Sequence, residues 1–188
     1  MSTAASRPAS EGGSDFGPIV VMGVSGCGKT SVGEQLASYM ECLFVEGDSF
    51  HSPENIRKMS DGTALDDADR WPWLDALGRK LASPNDIVLS CSALKRAYRD
   101  RLRAVAGRPV TFIFLQGSRT LLAERLTDRK GHYMPASLLE SQLATLELPA
   151  RESDVVSIEI CQPLERIVGL AITTLATRAN RRRQETIE

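Results

Sequence analysis

Eight residues near the start of the chain have the types and spacing to hold a phosphate: Gly23-Val24-Ser25-Gly26-Cys27-Gly28-Lys29-Thr30. They match G-x-x-x-x-G-K-[ST], the P-loop, a pattern that carries meaning only between a strand and a helix. Both are predicted here. The apolar run Ile19-Val20-Val21-Met22 precedes the loop, and Val32, Leu36 and Tyr39/Met40 recur at helical spacing after it, which predicts a helix over 29–40. In such a loop Gly23, Gly26 and Gly28 permit backbone angles that a Cβ forbids, so successive N–H groups from Ser25 through Cys27 can turn toward phosphate oxygens. The helix that opens at Lys29, Thr30 and Ser31 directs its positive dipole end at the same anion. Lys29 then supplies charge to the β- and γ-phosphates, and the Thr30 hydroxyl a ligand for Mg²⁺.

A second group of chemically able residues follows the short predicted strand Leu43-Phe44-Val45, in Glu46-Gly47-Asp48-Ser49-Phe50-His51. Ligands of open α/β sheets collect beyond the carboxyl ends of the strands, which places Asp48 and His51 near the phosphate loop. A carboxylate at Asp48 can orient an acceptor hydroxyl and take its proton; the other reading is a turn or capping carboxylate. Cations surround this region. Lys58 lies on a predicted helix from Pro53 to about Met59, with Ser52 as its N-cap. Lys95, Arg99 and Arg103 recur at i, i+4 and i+8 on a helix predicted from about Ala93 to Val105. Cations at a helix start oppose the dipole, so Lys95 and Arg96 cost on the order of a few tenths of a kcal/mol unless an anion compensates. Either an anionic acceptor meets Lys58, Lys95 and Arg99, or this is a solvated face partly balanced by Asp100. Arg125 and Arg129, one turn apart on a predicted helix from about Ser118 to Thr127, lead into Lys130-Gly131-His132-Tyr133-Met134-Pro135. That arrangement suits a mobile lid, about 128–137, which closes over a phosphoryl group and excludes water.

The elements that position these residues alternate. Strands are expected at Ile19–Met22, Leu43–Val45, Ile87–Leu89, Val110–Leu115 and Val155–Ile160, with helices between them and a closing helix from Pro163 to about Thr177. The fold class is therefore α/β: a three-layer sandwich around a mainly parallel five-stranded sheet, with right-handed crossovers. Asp66-Asp67-Ala68-Asp69-Arg70 leads into Trp71-Pro72-Trp73-Leu74 and a helix to about Ala82, with the two tryptophans read as a buried clamp. Residues 1–17, small and polar, read as a disordered tail, 18–177 as the single domain, and 178–188 as a charged tail. With 23 basic and 24 acidic residues in 188, no global field favours nucleic acid or a membrane, and any anion must be held by local clusters. The four scattered cysteines (Cys27, Cys42, Cys91, Cys161) support neither a zinc site nor a disulfide framework, and fit a reducing cytoplasm.

Four segments, in this order and spacing, resemble the gluconokinases of the short, ATP-dependent P-loop type: GVSGCGKT, Gly47 to Leu74, Cys91 to Arg103, and His132 to Pro149. The resemblance covers about Ile19 to Thr177 and implies a mobile lid like that of shikimate kinases or adenylate kinases. It implies transfer of the ATP γ-phosphate to D-gluconate, giving 6-phosphogluconate for the pentose phosphate or Entner–Doudoroff routes, and a homodimer. It makes Asp48 the carboxylate at the reacting hydroxyl, with His51 beside it. Lys58, Arg70, Ser92, Lys95 and Arg99 become candidates for the gluconate carboxylate and hydroxyls, joined by His132 and Gln142 from the lid side. Arg70 has a second reading, as an anchor for the acidic run before it. Two departures stand out. Cys27 replaces the serine frequent at its position, and a thiol at a helix N-terminus beside a lysine is expected to have a lowered pKa and to be open to oxidants. The third strand ends without a Walker B aspartate, so Mg²⁺ is expected on Thr30, nucleotide oxygens and water, with Asp48 as an option through a water. Rival readings are a kinase for another small anionic acceptor, such as shikimate or adenylylsulfate, and a nucleotide-dependent switch or binding module.

Overall fold

The computed structural model describes residues 16–127 and 136–185. Its centre is a five-stranded sheet of β1 (Ile19–Met22), β2 (Leu43–Glu46), β3 (Ile87–Cys91), β4 (Thr111–Gln116) and β5 (Val155–Glu159), in the order β2-β3-β1-β4-β5. All the pairings are parallel. This follows from composition: the central strands are apolar on both faces and every residue of Ile19–Met22 is buried, as a sheet covered on both sides requires. The strand order reverses at β1, which lies between β3 and β4. A crevice therefore opens beyond its carboxyl end, where the phosphate loop begins.

Two apolar layers cover the sheet. On one face α1 (Lys29–Tyr39), α5 (Arg119–Thr127), α6 (Ala136–Thr145) and α7 (Leu164–Glu185) bring Val32, Leu36, Leu122, Leu139, Ile167 and Leu175 against Ile19, Val21 and Ile113. On the other, α3 (Asp67–Leu81) and α4 (Arg96–Ala106) bring Leu74, Leu77, Tyr98 and Leu102 against Val20, Met22, Leu89 and Phe112. Each fully buried leucine contributes about 1.5–3 kcal/mol relative to exposure. The edge helix α2 (Pro53–Ser60) opens as expected, with the Ser52 hydroxyl accepting from the Asn55 N–H and proline at its first position.

Three boundaries differ from the sequence reading, each for a local reason. Helix α3 starts at Asp67, ahead of the Trp-Pro-Trp stretch. Asp66 and Asp69 form a reciprocal capping box, with Asp69 in the role usually taken by glutamate, and Pro72 is carried inside the helix. Helix α4 starts at Arg96 and not at Ala93, because Ala93 takes a left-handed conformation with φ 43° and Lys95 becomes the N-cap. Helix α7 passes Thr177 and runs to Glu185, so most of the expected charged tail is helical. Ala179 continues the buried stripe of Ala171 and Leu175 at i+4 spacing, and the Arg178 side chain donates to the Val155 carbonyl of β5 at 2.8 Å. Between β2 and α2, the Gly47–Phe50 stretch winds into a 3₁₀ turn that periodicity did not indicate.

Candidate active site

The phosphate loop is built as a backbone cradle. Gly23, Gly26 and Gly28 have φ of 143°, 81° and 95°, and Gly28 caps α1 without any side-chain hydrogen bond. The first N–H groups of α1 are thus left for an anion. A Cβ on Gly23 would lie 2.8 Å from the Leu115 carbonyl oxygen, so glycine is required there for space as well as angle. Lys29 folds back over the loop, with Nζ donating to the Val24 carbonyl at 3.2 Å. Arg125 reaches the same loop: its Nη2 donates to the Ile160 carbonyl at 2.8 Å, and its Nη1 lies 3.9 Å from where a Gly28 Cβ would be. Ser31 is exposed in the first turn of α1. Arg129 and His132 lie outside the described residues, as does most of the expected lid.

Cys27 corrects an expectation. Its thiol is 1 % exposed, and burial pushes its pKa up in spite of the neighbouring Lys29 and Arg125 charges. Lowered pKa and ready oxidation do not follow from its position, because the thiol itself is buried and the cost of desolvating a thiolate outweighs the nearby positive charges. Gln142, expected on the acceptor side, is found on the donor loop. Its Oε1 accepts from the Ser25 backbone N–H at 2.7 Å and its Nε2 donates to the Ser25 hydroxyl at 3.1 Å.

The loop meets the acceptor region through Glu46, a residue the sequence reading passed over. The Thr30 hydroxyl donates to Glu46 Oε2 at 2.7 Å, and the Ser90 hydroxyl donates to Glu46 Oε1. The Gly47 N–H donates to Ser90 Oγ at 2.9 Å. A Cβ at Gly47 would fall 1.9 Å from the Ser90 carbonyl oxygen, so this peptide is fixed against β3. The signal that could have found Glu46 is positional: it ends a strand two residues before Asp48, at the carboxyl edge where β1 and β3 also end. The Ser92 carbonyl accepts from the Gly23 N–H at 3.3 Å, which sets Ser92 beside the same loop.

Asp48 projects from the 3₁₀ turn with its side chain 69 % exposed, and its Oδ1 lies 4.0 Å from His51 Nε2. His51 is buried and stacked on Trp73 at 4.2 Å between ring centroids, and Trp73 Nε1 donates to the Gly47 carbonyl at 2.8 Å. The clamp expected of the tryptophans is therefore present at Trp73, where it holds the Gly47–Phe50 turn. Burial lowers the His51 pKa, and Arg70 adds to this against the opposing Asp48 charge. A neutral imidazole offers hydroxyl groups one donor and one acceptor.

Where the starts of α3 and α4 meet the end of α6 lies a cavity of about 500 Å³ lined by Asp66, Asp67, Arg70, Lys95 and Tyr98 among others. The cations expected on this side have different fates. Arg99 is fully buried and all five of its N–H groups are engaged, by Glu152 and by the Ala93, Leu94 and Glu147 carbonyls. It has no donor left for a ligand, and it instead holds the left-handed turn at Ala93. Lys58 pairs with Asp69 at 2.6 Å, tying α2 to α3 away from the cavity wall. Lys95 faces the cavity but pairs with Asp67 at 2.7 Å; hydrogen bonds from Lys95 and Tyr98 hold the Asp67 carboxyl below the usual range. The anion that compensates Lys95 at the start of α4 is thus part of the chain, and a second carboxylate, Glu147, accepts from the Arg96 N–H at 2.7 Å. Arg103 is likewise absorbed, by Asp100, Glu152 and Asp154. Arg70 differs: it lines the cavity, makes no ion pair among the described residues, and leaves its buried Nε without a partner. Its Nη2 donates to the Leu65 carbonyl at 3.3 Å, so it anchors the preceding stretch by backbone and not by the acidic side chains. His51 Nδ1 is the other buried acceptor-side atom without a partner among the described residues.

Comparison with known proteins agrees with this geometry. Residues 19–149 match the family model described as an AAA domain. The chain is 49 % identical to a gluconokinase of Gluconobacter oxydans (strain 621H) over 74 % of this chain and 80 % of that one. It is 41 % identical to the thermoresistant gluconokinase of Escherichia coli (strain K12), over 83 % and 91 % of the two chains. The crystal structure of a gluconokinase from Sinorhizobium meliloti 1021 superposes with a TM-score of 0.86 at 54 % identity, covering 90 % of this chain and 97 % of that one. A phosphate loop, a carboxylate turn and a cation-lined cavity on one sheet edge, with these relatives, place the chain in the gluconokinase family of P-loop phosphotransferases.

Proposed function

We propose that this chain transfers the γ-phosphoryl group of ATP to D-gluconate, giving ADP and 6-phospho-D-gluconate. The observation that carries the reading furthest is the 2.7 Å hydrogen bond from Thr30 to Glu46, which joins the phosphate loop directly to the turn bearing Asp48. Donor and acceptor groups thereby share one sheet edge. The acceptor hydroxyl oxygen attacks the γ-phosphorus as the bond to the β,γ-bridging oxygen breaks, and the hydroxyl proton passes to the Asp48 carboxylate. Lys29 and Arg125, with Arg129 from beyond the described residues, stabilise charge on the transferred group. Arg70 takes the gluconate carboxylate, while His51, Ser92 and the Lys95–Asp67 pair address its hydroxyls.

The donor set fits Mg²⁺. Thr30 offers a hard oxygen whose proton is committed to Glu46, and Mg²⁺ is commonly held by few protein oxygens together with substrate phosphates and water. Thr30 would hold the ion with Glu46 behind it; when bound, it neutralises charge between the β- and γ-phosphates. The homodimer implied by the family resemblance and the cytoplasmic setting expected from the scattered cysteines belong to the proposal, and light scattering of the purified protein tests the first. No helix among the described residues is long and apolar enough to cross a membrane.

A coupled ADP-release assay with ATP against gluconate, related aldonates, shikimate and nucleoside monophosphates tests the substrate. Gluconate is expected to give stoichiometric, acceptor-dependent turnover. No rate above background with gluconate would overturn the proposal, and acceptor-independent release would favour a nucleotide switch.

A further inference from the structure

A series of hydrogen bonds that ends in one ring stack runs from the Thr30 hydroxyl to His51, through Glu46, Ser90, Gly47 and Trp73. The Thr30 hydroxyl donates to one Glu46 oxygen at 2.7 Å, and the Ser90 hydroxyl donates to the other. Ser90 Oγ in turn accepts from the Gly47 N–H at 2.9 Å, and the Gly47 carbonyl accepts from Trp73 Nε1 at 2.8 Å. Trp73 carries His51 on its face. Four elements, α1, β2, β3 and α3, are linked in this way, with little room for slack. Ser90 is 1 % exposed, and the Gly47 peptide is pressed against the Ser90 carbonyl so closely that no side chain fits. A serine hydroxyl has a single proton, committed here to Glu46, so a displacement of Glu46 is passed to Ser90 and to the peptide that leads into Asp48.

We propose that Glu46 and Ser90 are positioning residues that make nucleotide and gluconate binding cooperative, by tying the Thr30 hydroxyl to the turn that presents Asp48 and His51. The inference rests on the reading that Thr30 faces the nucleotide's cation and Asp48 the acceptor hydroxyl. Occupation of the phosphate loop draws on Thr30, orders Glu46 and so settles the Gly47–Phe50 turn before the acceptor arrives. Reciprocity follows from linkage: gluconate must tighten nucleotide binding by the same factor.

The test is calorimetric titration of gluconate into the full chain, with and without a saturating non-hydrolysable ATP analogue and Mg²⁺. For the native protein we expect gluconate to bind about five-fold or more tightly with the analogue present, the lower end of common coupling factors. In Ser90→Ala and in Glu46→Gln the ratio should fall to below about two-fold. A merely structural role would weaken gluconate equally in both titrations and leave the ratio unchanged. Persistence of the native ratio in both variants, or a native ratio near one, overturns the proposal. Should the buried Ser90→Ala fail to fold, Glu46→Gln at its partly exposed position decides alone. Turnover of Asp48→Asn separates the two levels: if it is lost while coupling is absent, only the relay fails; if it is retained, the acceptor reading beneath it fails.

Discussion

The phosphate loop presents the backbone of one continuous segment, whereas the cavity proposed for the acceptor is lined by side chains gathered from three. On the donor side, N–H groups at the start of α1 have no internal partner, so positive potential stands open until an anion enters. On the acceptor side the cations arrive already answered: Lys95 by Asp67, Lys58 by Asp69, and Arg99 by Glu152. The difference separates affinity from selectivity. A backbone cradle accepts any suitably shaped phosphate, while a cavity of paired charges with a guanidinium, Arg70, that has no carboxylate partner among the described residues discriminates by where its remaining donors point.

The comparison can be broken most sharply on the donor side. Lys29→Ala removes a cation from the transferred group and should lower kcat by about 10³-fold or more. Asp48→Asn keeps the size of the acceptor-side carboxylate but not its basicity, and should lower kcat by about 10²–10⁴-fold. Steady-state rates at saturating ATP and gluconate decide both. If Asp48→Asn turns over normally, proton removal is not its task, and the acceptor half contributes binding only.

Next in size is the contrast within the acceptor cavity. Arg70→Ala deletes the unpaired cation, and loss of a charge-assisted hydrogen bond is worth about 1.5–3 kcal/mol, so KM for gluconate should rise by about 10–100-fold with a smaller change in kcat. Lys95→Ala should raise KM less, by about 3–10-fold, because Asp67 already neutralises it and would be left unpaired in turn. The reverse order would move the carboxylate anchor to Lys95.

What could be read in advance follows the same division. The phosphate loop, the five strands and the covering helices depend on local spacing and apolar runs, and the structure repeats them with boundaries shifted by capping at Asp66 and by the left-handed Ala93. The acceptor residues were located by region but not by role. The i, i+4, i+8 spacing of Lys95, Arg99 and Arg103 says that they are neighbours along a helix, yet not that Glu152 and Asp154, some fifty residues away, absorb two of them. Ion pairing between distant segments leaves no periodicity. Glu46 was missed for a related reason: its importance lies in a contact with Ser90 set by the parallel register of β2 beside β3, and in one with Thr30 across from the start of α1.

The smallest expected effect is the most direct check that the donor half is a backbone site. Cys27 sits in the middle of the loop, but its thiol is buried and its pKa raised by that burial, and Cys91 is pushed up to about 12 by the same cause. Cys27→Ser alters neither the glycine angles nor the N–H groups, so kcat and KM for ATP should stay within about two-fold, less than about 0.5 kcal/mol. Thiol titration of the native protein should label exposed Cys161 first and spare Cys27 and Cys91 until denaturant is added. Adding ATP should then change the labelling pattern little. Fast labelling of Cys27 that ATP prevents and that tracks lost activity would show that the loop opens without ligand, and the fixed cradle would have to be replaced by one that forms around the phosphate.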